Sequence, residues 1–293
     1  MSLFNQANSL GSKSNEDIAG YLTEIGDLDA AQDFVGAQVS GQAGLLSTAA
    51  WKHSGAVIGF INPNQDVATG LFSIQSAAGI QQDASLIGQS IKISLDCFYV
   101  HSYPGFGAHD VLFEFGGKNQ VTTVVEDVRH PLKFQVSDGG AASVAGTPIF
   151  LGLNVDRNGV AFEGRTINVS SRDDQDIINL FDSNTFKTGL TLINTAQPAL
   201  KPYSALAITA ITAIASRSKN AQVHNFNLGL DFGNNPTSCK LRHGSYLVIQ
   251  SDNPIDLNNY RWNRDTARLQ HFSGVNAPVE FNYLIIGVSP YHP

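Results

Sequence analysis

From residue 56 onward, apolar and polar residues alternate with a period of two. Ile91, Ile93, Leu95, Cys97 and Tyr99 are interleaved with Lys92, Ser94, Asp96 and Phe98, which predicts a half-buried strand. Val111, Phe113 and Phe115 predict another, after the loop Gly105-Phe106-Gly107. Pro131 and Gly139-Gly140 punctuate the next stretch. Asn158-Gly159, between Leu151–Val155 and Val160–Phe162, is a strong hairpin signal. The first 40 residues follow a different period. Ile18, Tyr21, Leu22 and Ile25 stand at i, i+3, i+4 and i+7 and predict an amphipathic helix. Ser14 is its expected cap, answered by Asp17. Gly26 interrupts, and Leu28–Val35 extend the arm by another short helix. Residues 1–13 are polar, and a mobile start is expected.

The same β-rich pattern occurs twice, in four blocks of conserved order. Thr69–Ala77 (TGLFSIQSA) matches Thr188–Ala196 (TGLTLINTA), and Asp110–Gly116 matches Asn227–Gly233. Arg129-His130 followed by Ser137-Asp138 matches Arg242-His243 followed by Ser251-Asp252, and Ile167–Ser170 matches Ile286–Ser289. The phase of alternation is kept, with Val111, Phe113 and Phe115 landing on Leu228, Leu230 and Phe232. Fixed-order self-similarity predicts duplication. The expected fold is therefore all-β: two tandem, internally duplicated sandwich or jelly-roll units behind a short N-terminal helical arm. C2-like or immunoglobulin-like sandwiches are the alternatives. The expected divisions are an arm over 1–50, a first unit over 51–171, a linker with a short helix over 172–187 and a second unit over 188–293. In this scheme Ser204–Ala215 (SALAITAITAIA) is the counterpart of the strand at Ile91–Tyr99 and is read as a strand.

Composition adds to this picture mainly through what is scarce. Only 15% of residues are charged, well below the usual quarter, so the surface is poorly protected against self-association. The net charge is −7, and no Lys/Arg cluster supplies an electrostatic footprint for nucleic acid. The first 40 residues carry Lys13 alone against Glu16, Asp17, Glu24, Asp27, Asp29 and Asp33. That is the reverse of a basic genome-binding arm, so direct nucleic-acid binding is not expected. No segment reads as a signal peptide or a membrane span, which implies a protein made in the cytoplasm. Cys97 and Cys239 do not occupy equivalent repeat positions and read as free thiols.

Candidate chemistry is sparse. Phosphate loops, dinucleotide fingerprints, nucleophile elbows and HExxH are missing, so neither a catalytic role, a cofactor nor a metal is expected. Asp173, Asp174 and Asp176 precede an apolar run and suit a helix start better than a calcium loop. Asn168-Val169-Ser170 is a chance glycosylation match. His109-Asp110 reads as strand-edge residues rather than an acid–base pair. The recurring Arg-His pairs read as supports for edges or turns, with a duplicated anion site as the alternative. Tyr260-Arg261-Trp262, beside Asn258 and Asn259, is the candidate ligand or interface patch. Planar and amide side chains together suit a sugar face, and Tyr and Trp also anchor protein interfaces.

In layout, the helical arm, the two β units and the charge-poor, Asn/Gln/Ser/Ala-rich composition resemble the double jelly-roll major capsid proteins of icosahedral viruses. The resemblance implies a structural, homo-oligomeric subunit of a virion or similar assembly. It carries over no functional residues. A tandem sandwich module binding glycan, lipid or protein is the alternative function.

Overall fold

The computed structural model describes residues 4–40, 49–65, 68–121, 124–142, 144–171, 174, 178–179, 181, 184–192, 200–273 and 279–292. Among these are the strands β1 (Ala56–Ile61), β2 (Leu71–Ser76), β3 (Ser90–Val100), β4 (Ala108–Val121), β5 (Val124–Ser137), β6 (Gly140–Ala141), β7 (Thr147–Asn154) and β8 (Val160–Val169). They continue with β9 (Leu190–Thr191), β10 (Asn220–Asp231), β11 (Cys239–Lys240), β12 (Gly244–Gln250), β13 (Tyr260–Asn263), β14 (Arg268–His271) and β15 (Tyr283–Pro290). The helices are α1 (Asn15–Ile25), α2 (Leu28–Ser40), α3 (Asn184–Lys187) and α4 (Leu200–Ala215). The protein is mostly β, as its alternation predicts.

The strands form two sheets, ordered β14-β13-β2-β1-β12-β15-β3-β7-β9, with β6 beside β3, and β11-β10-β8-β4-β5. The division into a unit over 51–171 and another over 188–293 does not describe this arrangement. In the larger sheet β1 pairs with β12 and β3 with β15; in the smaller, β8 lies between β4 and β10. Both sheets thus mix strands from both halves, and one core fills the space between them. Val111, Phe113 and Phe115 of β4 and Phe162 of β8 meet Ile91, Ile93, Phe150, Tyr246, Val248 and Ile286 there. The repeated blocks also diverge in place: Ile167 lies in the smaller sheet and Ile286 in the larger. Recurrence of an alternating pattern with glycine turns reflects shared strand chemistry, which does not specify the same strand order.

Ser204–Ala215, expected as a strand, lies in α4. Ile211 and Ile214, three residues apart, are both fully buried against Leu112, Ile167 and Val169 on the outer face of the smaller sheet. A spacing of three brings them onto one helical face. The strand reading followed the repeat alignment, and tertiary packing overrides the β preference of isoleucine. A second departure is inside β3. Leu95 faces Ile286 and Cys97 faces Ile285, leaving Asp96 as a bulge. The alternation changes face there. Ile91, Ile93 and Leu95 join the central core, whereas Cys97 and Tyr99 enter a second core on the outer face of the larger sheet.

The arm has the expected cap. The Ser14 hydroxyl accepts from the Asp17 amide at 3.1 Å and donates to its carboxylate at 2.7 Å, and Gly26 ends α1 at φ +88°. A left-handed C-terminal residue favours glycine. The described part of the polar start is packed rather than loose. Phe4 is buried, and Gln222 Nε2 donates to the Asn5 carbonyl (3.1 Å) and the Ser9 hydroxyl (2.9 Å). Of the expected linker, Ile178 and Phe181 are buried and α3 supplies a short helix; Asp173 and Asp176 lie outside the described residues.

A tight turn forms at Asn158-Gly159, closed by an isolated Asp156–Gly159 bridge, but the expected hairpin does not. β7 pairs with β3 and β9 in the larger sheet and β8 with β4 and β10 in the smaller, so the turn carries the chain from one sheet to the other. Gly159 has φ +93°, and an added Cβ would strike the Leu230 carbonyl. Gly159→Ala is expected to cost about 3 kcal/mol, combining backbone strain with the clash. Urea unfolding of the variant against the parent measures it.

Candidate functional site

The candidate triplet forms β13, near one end of the larger sheet. Asp256 starts the turn leading into it by accepting from the Asn258 amide at 3.0 Å. Tyr260 lies edge-on to Phe281 (5.2 Å) and His271 (5.6 Å), and Trp262 packs half-buried against the second core. Arg261 donates to the carbonyls of Asn258 (2.9 Å) and Tyr260 (2.7 Å), and its guanidinium lies 4.3 Å from the centre of the Phe272 ring. Tyr260 and Trp262 therefore mainly build this edge, while Arg261 and Phe272 dress its surface. Phe272 is 64% exposed.

Sequence reasoning missed the extent of this surface. Arg264 lies 6.0 Å from the Phe72 ring and Arg268 5.6 Å from Tyr99. The hairpin β13–β14 thus presents three arginines, each over an aromatic ring, with Asp265 paired to Arg264 at 3.6 Å. Stacking limits the freedom of each guanidinium and leaves free the donors not spent on the Asn258 and Tyr260 carbonyls or on Asp265. Phe72 and Tyr99 are remote in sequence, so no local motif reveals the arrangement.

The other candidate residues resolve into structural roles. His109 and Asp110 are adjacent on β4 and separate accordingly. His109 Nε2 lies 3.1 Å from Asp138, whereas Asp110 lies 3.7 Å from Lys133. The recurring Ser-Asp motif has a shared use. Asp138 accepts from the Tyr103 amide (2.9 Å), and Asp252 from the Gly55 (2.6 Å) and Ser54 (3.1 Å) amides while meeting His53 at 3.3 Å. Each aspartate pins the loop leading into a strand. Burial raises the pKa of Asp252, but these backbone donors and His53 outweigh it and hold the carboxyl below its ordinary value. The Arg-His pairs are not equivalent. Arg242 donates to the Gln81 carbonyl at 3.4 Å, whereas Arg129 bonds Glu114.

Glu114 centres a buried charge network on the outer face of the smaller sheet. Its fully buried carboxylate binds Arg129 (3.0 Å) and Arg165 (2.7 Å), and Phe4 covers Arg165 at 4.9 Å. Glu114→Gln is expected to cost about 3–5 kcal/mol by leaving two partly buried guanidinium groups without their countercharge. Chemical denaturation reads the loss, and a change under 1 kcal/mol would contradict this role.

Asp174 is held by Arg217 and Asn220, each at 2.6 Å, as a structural anchor. Asn168 is buried and donates to the Pro104 carbonyl at 2.8 Å, which removes the sequon from solvent. Among the described residues no group of three or more His, Cys, Asp or Glu is placed to hold a metal ion. Both cysteines are free, and burial pushes the Cys97 thiol up to about 11. No described helix is long and apolar enough to cross a membrane.

Two further surface features stand out. A cleft of about 590 Å³ lies between the β7–β8 turn and the end of β10; Lys118, Asn154, Asp156 and Asp231 place polar groups in it, and Val160 and Leu230 are among its apolar lining. At one end of the sandwich, Leu28 and Val35 of α2 are 55% and 57% exposed. The neighbouring Phe106 is 70% exposed, on a loop whose Gly105 amide donates to buried Asp27 at 3.2 Å. Comparison with known proteins returns no matching family model, no matching curated protein and no matching solved structure.

Proposed function

We propose that this chain is a structural, non-enzymatic subunit that self-assembles into a capsid-like or lattice-forming homo-oligomer. The observation that carries this reading is the exposure of large apolar side chains on α2 and on the loop bearing Phe106. Leu28 and Val35 stand exposed on one side of α2, and exposed Phe106 follows Gly105, whose amide bonds Asp27 beside the start of that helix. Exposed apolar surface of this kind marks an interaction surface. The low charge content leaves little electrostatic barrier to like copies approaching. Each copy contributes one sandwich. Its chain crosses between sheets from β3 to β4, β5 to β6, β7 to β8, β8 to β9, β9 to β10 and β11 to β12, a winding that supports a jelly-roll-type unit. A virion or similar shell is the setting this reading implies. Negative-stain electron microscopy of the purified chain tests it. Rings, sheets or shells are expected; fields of isolated single sandwiches at high protein concentration would contradict it.

A second reading has its own support. The cleft at the β7–β8 turn sets amides, carboxylates and a lysine among apolar lining such as Val160 and Leu230, and these donors and acceptors beside apolar surface suit a ligand such as a glycan. A binding module of this kind would show saturable glycan binding by calorimetry, weakened by Asn154→Ala. Binding abolished by Trp262→Ala alone would place the ligand at the hairpin instead.

A further inference from the structure

We propose that copies dock head to tail, with the arginine-bearing hairpin β13–β14 of one seated on the outer face of α2 in the next. This inference rests on the self-assembly reading and names the surfaces that would meet. The two surfaces are complementary in charge. Residues 14–40 contain Glu16, Asp17, Glu24, Asp27, Asp29 and Asp33 and not one Lys or Arg. Residues 260–272 contain Arg261, Arg264 and Arg268 against Asp265 alone, on a chain whose net charge is −7. A hairpin of this sign has the acidic helices as its natural counterpart on an identical molecule.

They are also complementary in kind. Leu28, Gln32 and Val35 share one arc of α2, bordered by Asp29 and Asp33, and all five are exposed. Of the six acids, Asp27 is buried as a cap and Glu24 accepts from Ser218, so Asp29 and Asp33 are the carboxylates nearest the apolar arc. The nearby cation Lys52 is turned onto the Phe34 ring at 4.9 Å. On the hairpin, exposed Phe272 carries Arg261 at 4.3 Å, so an apolar face and a cation are presented side by side. An aromatic knob flanked by prepositioned guanidinium groups fits an apolar arc flanked by carboxylates, with little side-chain freedom left to lose.

Geometry then sets the type of assembly. The hairpin stands at the edge of the larger sheet, and α2 lies where Gly105 meets Asp27, beside the entry to β4. Among the described residues no hydrogen bond, ion pair or ring contact joins them. Because the patches differ, each contact leaves a free patch at both ends, which is the heterologous arrangement that yields rings when it closes and filaments when it does not.

Two charge-reversed variants of the full chain test this: Asp29→Arg with Asp33→Arg, and Arg261→Glu with Arg264→Glu. Sedimentation velocity at about 50 mM salt, where screening is weak, reads association, and circular dichroism verifies folding. Each variant alone is expected to associate at least about tenfold more weakly than the parent, since like charges then face each other. An equimolar mixture is expected to regain the parent's association, because every junction again pairs opposite signs. Undiminished assembly of either variant, or a mixture that stays dissociated, would overturn this contact and leave self-assembly standing. A parent that is monomeric throughout would overturn both readings. So would a parent that stays monomeric while a single-stranded oligonucleotide binds the hairpin.

Discussion

A chain lacking residues 1–40 is expected not to form the native sandwich. Leu10, Ile18, Tyr21, Leu22 and Phe34 of this segment are buried in the same core that the two sheets share. At about 2 kcal/mol per large apolar side chain, their removal forfeits roughly 10 kcal/mol, as much as a typical domain's whole stability. Polar losses add to this. Gln222 loses Ser9 and Asn168 loses the Tyr21 hydroxyl at 3.4 Å, and a ring contact goes with them, that of Trp51 with Phe34 at 5.7 Å. The arm is thus a structural part of its own subunit, and its exposed α2 face is what remains for a neighbour. Far-ultraviolet circular dichroism and urea unfolding of the truncated chain read the outcome. Cooperative unfolding with an unchanged midpoint would show that the arm is dispensable.

Acid is expected to weaken the fold between pH 6.5 and 4. Burial holds His130 down to about 4, and among the described residues neither of its buried ring nitrogens has a hydrogen-bond partner that would favour the charged form. Burial does the same to His224, also to about 4, opposed by the Gly55 backbone and the Asp252 charge. Both folded values lie below the unfolded value near 6.5, so the neutral imidazoles belong to the folded state. Their contribution is complete above pH 6.5. It declines as pH falls, because the unfolded chain takes up protons that the folded chain refuses. Between pH 7.5 and 4.5 the two together should remove roughly 5 kcal/mol. His130→Gln with His224→Gln should flatten that slope. A double variant retaining the parent's full pH dependence would contradict the assignment.

Local patterns that depend on near neighbours were legible in the chain. The capping pair Ser14 and Asp17, the tight turn at Asn158-Gly159 and the Val111–Phe115 alternation all act over a few residues, and all are present. That the turn links the two sheets rather than a hairpin depends on distant strand partners. What depended on distant partners was hidden. The pairing of β1 with β12 and β3 with β15 places strands of the two halves side by side, which a match between halves does not reveal. Asp96 inverts the facing of β3 through a bulge set by β15 and read by no residue next to it. Ile211 and Ile214 are equally consistent with strand and helix until the outer face of β8 is there to be covered. The candidate surface was half legible. Tyr260, Arg261 and Trp262 were visible as a planar cluster, but the rings under Arg264 and Arg268 come from β2 and β3. The exposure of Leu28 and Val35 was hidden for a related reason, since only the packed position of α2 shows which of its faces is left over.

The central claim is that this subunit is made to associate with itself, and its mass in solution tests that most directly. Light scattering behind size exclusion, over a wide range of protein concentration and salt, should return masses that are multiples of 31.4 kDa. They should rise with concentration and fall with salt, as contacts between oppositely charged surfaces require. A constant 31.4 kDa across the whole range would contradict the account.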